Sequence, residues 1–145
     1  MYTIKNIEAE TTFPVRHCIL RSGKPLSSCY FEGDKNEDTL HFGLFEKGKL
    51  LGVASFFTQK NIFFQQEKQL QLRGMAILDQ YQNIGLGKIL LQSCESYLQE
   101  NKVELIWFNA RESAIGFYRS LGYNLEGALF DIPDVGLHVI MHKSI

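Results

Sequence analysis

Gln82-Asn83-Ile84-Gly85-Leu86-Gly87 stands between two runs of opposite character, and its reading decides the fold. Residues 69–78 (QLQLRGMAIL) alternate and then turn wholly apolar, as a strand entering a buried sheet does. Residues 86–98 carry apolar side chains at Leu86, Leu90, Cys94 and Tyr97, a helical stripe. The glycines therefore fall where a strand becomes a helix. The first N–H groups of a helix have no intrahelical acceptor and sit at the positive end of its dipole, so an anion can dock there against bare backbone. Gly85 and Gly87 remove the side chains that would block it, and Lys88 follows directly.

Three glycine motifs compete for this stretch. A nucleotide-triphosphate loop needs a glycine five residues before its Gly-Lys pair and a Ser or Thr after it, but position 82 is Gln and Ile89 follows Lys88. A dinucleotide fingerprint needs a third glycine at position 90, which is Leu, and a well-placed acidic residue downstream. The remaining pattern, Gln-x-x-Gly-x-Gly after a strand, resembles the coenzyme A pyrophosphate loop of the GCN5-related N-acetyltransferases.

A second block strengthens the resemblance. Residues 103–110 (VELIWFNA) read as a buried strand, and 110–121 as a helix with Ala114, Phe117, Tyr118 and Leu121 on one face. Asn109 is the expected helix cap with Glu112 as its reciprocal partner, and Gly122 the left-handed residue that ends the helix. The string NARESAIGFYRSLGY (109–123) is similar to the family's last block, in which an Asn closes a strand and a Phe-Tyr pair leads to Leu-Gly-Tyr. Residues 16–26 (RHCILRSGKPL), 31–34 (FEGD), 39–43 (TLHFG) and 127–138 (GALFDIPDVGLH) extend the likeness to small bacterial members of unassigned substrate.

Composition fits one domain over residues 1–145. The chain is 45% hydrophobic and 21% charged, ordinary values for a globular protein with a substantial core. Fifteen basic against 16 acidic side chains give no field for recruiting nucleic acid, which is not an expected partner. Cys18, Cys29 and Cys94 are odd in number and lack metal-binding spacing, so neither a disulfide framework nor a metal site is expected. No long apolar run or signal-peptide profile is present, and a cytoplasmic protein without a membrane partner is the expectation.

Along the chain the pattern predicts a strand at 2–8 and a helix over 9–20, weakened at its start by Thr11, Thr12 and Pro14. A loop over 22–38 and a hairpin of 39–47 and 50–59 around Lys47-Gly48-Lys49 follow. After the two blocks come two closing strands within 124–142, broken at 131–136. This order matches the α/β fold the resemblance implies: the acyl-CoA N-acyltransferase fold, a mixed sheet of about seven strands with helices on both faces. There the strands at 69–78 and 103–110 are parallel neighbours that splay apart and admit the pantetheine arm.

The resemblance also implies roles. Acetyl-CoA is the cofactor, with the turn Gln82, Asn83, Ile84, Gly85, Leu86, Gly87 and Lys88 on its pyrophosphate and the backbone of Met75 and Ile77 on its arm. Met75 or Ala76 supplies the N–H that steadies the oxyanion. Tyr118 is the expected general acid, the alternative being a core tyrosine with a bonded hydroxyl. Asn109 binds the cofactor, caps the helix, or does both. For the base, His138 and His41 are the side-chain candidates, histidine being the residue type suited to proton transfer at neutral pH, and ordered water is the third. Arg16, Arg21 and Arg73 offer planar forks to an acceptor carboxylate or phosphate, or are solvated or loop-fixing charges. Arg21, His41 and Arg73 are the acceptor-binding candidates.

The resulting expectation is an N-acetyltransferase that moves an acetyl group directly to a primary amine, a small molecule in preference to a protein. The alternative is a non-catalytic sensor of CoA or acyl-CoA, which would keep residues 82–88 but need neither Tyr118 nor an acceptor pocket. Free sheet edges make a homodimer an expected assembly.

Overall fold

The computed structural model describes residues Met1–Ile145. Seven strands form one mixed sheet: β1 (Tyr2–Asn6), β2 (Leu40–Glu46), β3 (Lys49–Thr58), β4 (Gln69–Ile77), β5 (Leu105–Arg111), β6 (Asn124–Ile132) and β7 (Gly136–Ser144). Their spatial order is β1-β2-β3-β4-β5-β7-β6, antiparallel throughout except for the β4–β5 pair. Helix α1 (Ala9–Leu20) covers one face over β3 and β4; α2 (Leu86–Glu100) and the short α3 (Ile115–Ser120) cover the other. The expected strand number, element order and two-faced layering are all present.

Local chemistry accounts for the elements. Lys47 and Gly48, at φ 50° and 79°, make the two-residue turn that the β2–β3 alternation requires. Pro14 lies inside α1 and removes one ladder hydrogen bond; the helix persists because Val15 and Arg16 are buried against the sheet. Leu86, Leu90, Leu91, Cys94 and Leu98 of α2 pack on Phe42, Phe56, Leu72, Ile106 and Phe108 in the main core. Tyr97 stays partly exposed and meets Phe42 edge-on at 5.3 Å, so Leu98 rather than Tyr97 closes the buried stripe.

The helix expected over 110–121 is much shorter. Strand β5 runs through Asn109 to Arg111, a single 3₁₀ turn occupies Glu112–Ala114, and only Ile115–Ser120 is α-helical. Asn109 is therefore a strand residue, and neither it nor Glu112 caps a helix. The antiparallel ladder to β7 continues to the Arg111–His138 pair and outcompetes an early helix start. Gly122 does end α3, at φ 93°, with the Tyr123 amide reaching back to the Tyr118 carbonyl.

Two features set up the site. Strands β4 and β5 pair only from Gln69–Leu105 to Gln71–Trp107 and then part. Opposite Ala54, β4 carries a bulge at Gly74 (φ 68°) and Met75, so that Ser55 faces Arg73 while Val53 faces Ala76. Leu70 and Leu72 point to the α2 side before the bulge, Met75 and Ile77 point there after it, and Ala76 joins Val15 on the α1 side. Gly74 is closely packed, since a Cβ there would lie 2.7 Å from Phe31 Cε2.

Candidate functional site: a split strand pair beside a glycine turn

Beyond Gln71 and Trp107 the facing edges of β4 and β5 have no strand partner, which opens a gap toward their C-terminal ends. The glycine turn closes the α2 side of that gap. None of the backbone amides from Asn83 to Lys88 donates a hydrogen bond within the chain; the first to do so is Ile89, to the Gly85 carbonyl. Gly85 sits at φ 91° as the N-cap, no side chain caps α2, and its first turn holds no acidic residue. A Cβ at Gly85 would meet nothing within 4 Å, so the space over these amides is open. This is the donor set an anion of pyrophosphate type requires.

The side chains of the turn have separate tasks. Gln82 points back, its amide donating to the Ile77 carbonyl at 2.8 Å, and braces the turn on the end of β4. Asn83 takes the left-handed conformation at φ 64°, while Ile84 and Lys88 are exposed and Leu86 anchors the turn in the core. A Cβ on Gly87 would lie 3.1 Å from Phe117 Cζ and 3.5 Å from Met75 Cε, so this glycine lets α3 and β4 close around the helix start.

Tyr118 lies at the split itself. Its ring packs on Phe108 of β5 at 4.3 Å and on Phe117 at 5.0 Å. The hydroxyl points toward β4, where its only partner is the soft Met75 Sδ at 3.9 Å. Burial pushes its pKa up to about 12, so the group holds its proton at neutral pH and has no strong acceptor to compete for it. Neighbouring Tyr123 differs: its hydroxyl donates to Glu95 at 2.6 Å, the role of a satisfied core tyrosine.

The opposite, α1-side face carries Arg73, Asn109, Arg111 and His138, as the strand registers require. His138 is buried, with Nδ1 2.8 Å from the Gly136 carbonyl. A carbonyl only accepts, so in the neutral ring Nδ1 carries the proton and Nε2 keeps the lone pair. Asn109 and Arg111 are exposed beside the gap.

His41 departs from the expectation of an acceptor contact. Both its nitrogens are engaged internally, Nδ1 with Ser55 Oγ at 2.6 Å and Nε2 with the Asp34 carbonyl at 2.8 Å. It belongs to a buried framework in which Arg16 forks onto Asp34 at 2.6 and 3.0 Å and also donates to Ser55 and the Cys29 carbonyl. That framework fixes the 22–38 loop against the sheet, and Phe31 lies on the Arg16 guanidinium at 3.9 Å. Arg21 and Arg73, by contrast, have no carboxylate within ion-pair distance. Gly74, Phe31 and Arg111 also border the site and do not stand out in the sequence. For Gly74 the signal is a glycine inside a strand pattern.

No group of three or more metal-ligating side chains occurs. No helix is long and apolar enough to cross a membrane. The chain is 36% identical over 145 residues to YitI of Bacillus subtilis (strain 168), an uncharacterized N-acetyltransferase, with 100% of this chain and 97% of the relative covered. It is 31% identical over 129 residues to the [ribosomal protein bS18]-alanine N-acetyltransferase of Escherichia coli (strain K12), covering 86% and 82% of the two chains. The crystal structure of the ribosomal-protein-S18-alanine N-acetyltransferase from Escherichia coli superposes with a TM-score of 0.75 at 25% identity, over 100% of this chain and 94% of that one. An aminoglycoside 6'-N-acetyltransferase complexed with coenzyme A shares the fold at a TM-score of 0.78 and 13% identity, over 98% and 96%. The model of the Acetyltransferase (GNAT) family matches residues 3–123, the span that holds the split strands, the glycine turn and Tyr118, and the chain belongs to this family, whose acetyl donor is acetyl-CoA.

Proposed function

We propose that residues 1–145 act as one cytoplasmic N-acetyltransferase domain that moves an acetyl group from acetyl-CoA directly to the primary amine of a small molecule. The observation that carries this reading is the run of unbonded amides from Asn83 to Lys88 beside the unpaired ends of β4 and β5. The residues fit the cofactor: bare donors for a pyrophosphate, open space over Gly85, and strand edges free to bond amides as an added strand would.

Acetyl-CoA supplies the activated thioester carbonyl. The chain's part is to bind, orient and move protons. The turn from Gln82 to Lys88 holds the pyrophosphate, with Gln82 acting as a brace, and the backbone of Met75 and Ile77 holds the arm, with Asn109 facing it from β5. A backbone N–H at Met75 or Ala76 donates to the carbonyl oxygen as it gains charge. Tyr118 keeps its proton through neutral pH and gives it to the departing sulfur; its raised pKa and weakly engaged hydroxyl support this. His138 Nε2 takes the proton from the amine, supported by the tautomer its bond to Gly136 imposes. The acid thus lies on the α2 side of the sheet and the base on the α1 side. Transfer is direct, without a cysteine nucleophile: Cys94 and Cys29 are buried, burial raises the Cys94 thiol pKa, and the exposed Cys18 belongs to α1.

A protein amine is the second reading for the acceptor, favoured by the relative that acetylates a ribosomal-protein alanine. Free edges on β1 and β6 support pairing of two copies. The test is calorimetric titration with acetyl-CoA, followed by CoA release with a panel of small amines and short peptides. Tight donor binding with amine-dependent release is the expected result; absence of donor binding would overturn the reading.

A further inference from the structure

Arg73 is an unusual arginine. Its guanidinium lies over two rings, 5.1 Å from the Phe31 centroid and 5.0 Å from Phe57, which hold it in place. It is half-buried, and burial together with the Arg16 and Arg21 charges lowers its pKa, although Asp34 and Glu32 oppose that. Yet its donors engage no acceptor: it makes no side-chain hydrogen bond and no ion pair. Arg21 stands 5.2 Å from the same Phe31 centroid and bonds only the adjacent Leu20 carbonyl. Arg16, the third cation on that ring, is neutralised by Asp34. Two positive forks are therefore left without a counter-ion around one fixed phenyl ring.

Arg73 also lines a cleft of about 450 Å³ with Glu32, Asp38, Thr58, Gln59 and Gln71, a predominantly polar wall. It is two residues beyond Gln71, the last residue of β4 paired with β5, and two before Met75, roughly 7 Å along the strand from each. An ordered guanidinium with free donors in a partly dry site matches a carboxylate or phosphate in two-point fashion. Glu32 and Asp38 line the same cleft, disfavour a polyanion and suit a compact molecule whose amine is a cation in solution.

Resting on the acetyltransferase reading, we infer that the acceptor is a small amine carrying one anionic oxygen group, a carboxylate or a phosphate, and that Arg73 with Arg21 binds this group on the α1 side of β4. The amine is thereby held next to the gap, and the two arginines act as specificity residues.

Matched pairs test this: an L-amino acid against its amide, and phosphoethanolamine against ethanolamine, each followed by CoA release, with acetyl-CoA binding measured separately. The expected result is a preference of about 10- to 100-fold in kcat/KM for the charged member of one pair, which also tells carboxylate from phosphate. Arg73→Gln should erase the preference through KM, with acetyl-CoA affinity retained, and Arg21→Gln, at a half-buried position, should reduce it. Equal or better turnover of the neutral members, no turnover of any charged member, or a preference that survives both substitutions would overturn the inference. In each of those cases retained acetyl-CoA binding leaves the acetyltransferase reading standing. A wild-type chain that fails to bind acetyl-CoA overturns both.

Discussion

Replacing Tyr118 by Phe separates catalysis from packing with one atom. The ring contacts to Phe108 and Phe117 are unchanged, and the substitution removes only the 3.9 Å approach of the hydroxyl to Met75 Sδ. Folding stability should therefore move by no more than about 0.5 kcal/mol, a melting shift of roughly 2 °C or less in a chain of this length. Turnover should fall about 10- to 1000-fold, the scale of losing a general acid, or about 1.4 to 4 kcal/mol of transition-state stabilisation. Stopped or continuous thiol detection of CoA release gives the rate, and calorimetry gives the acetyl-CoA affinity, which should not change. The pH dependence adds a second check. Burial favours the neutral phenol and raises its pKa to about 12, so any stability this contributes is present below about pH 10 and is lost as pH rises toward 12. Wild type should show no alkaline loss of rate from Tyr118 below about pH 10. An unchanged rate in the variant, or an alkaline limb near pH 9 that the variant abolishes, would refute the reasoning.

Other perturbations bear on the rest of the site. Gly85→Ala forces an L side chain to φ 91° without a clash in the free protein, and should cost about 1 to 2 kcal/mol. The same methyl group intrudes on the anion space, so acetyl-CoA affinity should drop at least about tenfold by calorimetry. Asp34→Ala leaves the buried Arg16 without its counter-charge, and urea denaturation should show a loss of about 3 to 5 kcal/mol. Thiol titration of the native protein should find one fast-reacting group, the exposed Cys18, and the other two thiols should react only on unfolding.

The parts of the molecule that are local in sequence are legible in the residues. The Lys47-Gly48 turn, the strand–glycine–helix junction at 69–98 and the glycine at 122 are each set by the conformational needs of a few consecutive residues. The cap expected at Asn109 rests on an equally local pattern, while the ladder to β7 that holds this residue in a strand joins segments distant in sequence. The same limit applies to His41. Its sequence neighbourhood gives no sign that Ser55 and Asp34 occupy both ring nitrogens, since that framework unites the α1, loop and β3 segments only after folding. Three arginines are open to acceptor binding or loop fixing from sequence; burial and pairing separate Arg16 from Arg21 and Arg73, and neither property is written in the residues around them.

The extra residue at Gly74 works as a parity switch. Upstream of it even-numbered residues of β4 face α2, and downstream odd-numbered ones do. Deleting this glycine would remove the extra residue and let Leu72, Arg73, Met75, Ala76 and Ile77 alternate regularly, each on the face it already occupies. Its loss should thus act on the backbone alone, straightening the strand edge beside the gap while the three side chains that border it keep their directions.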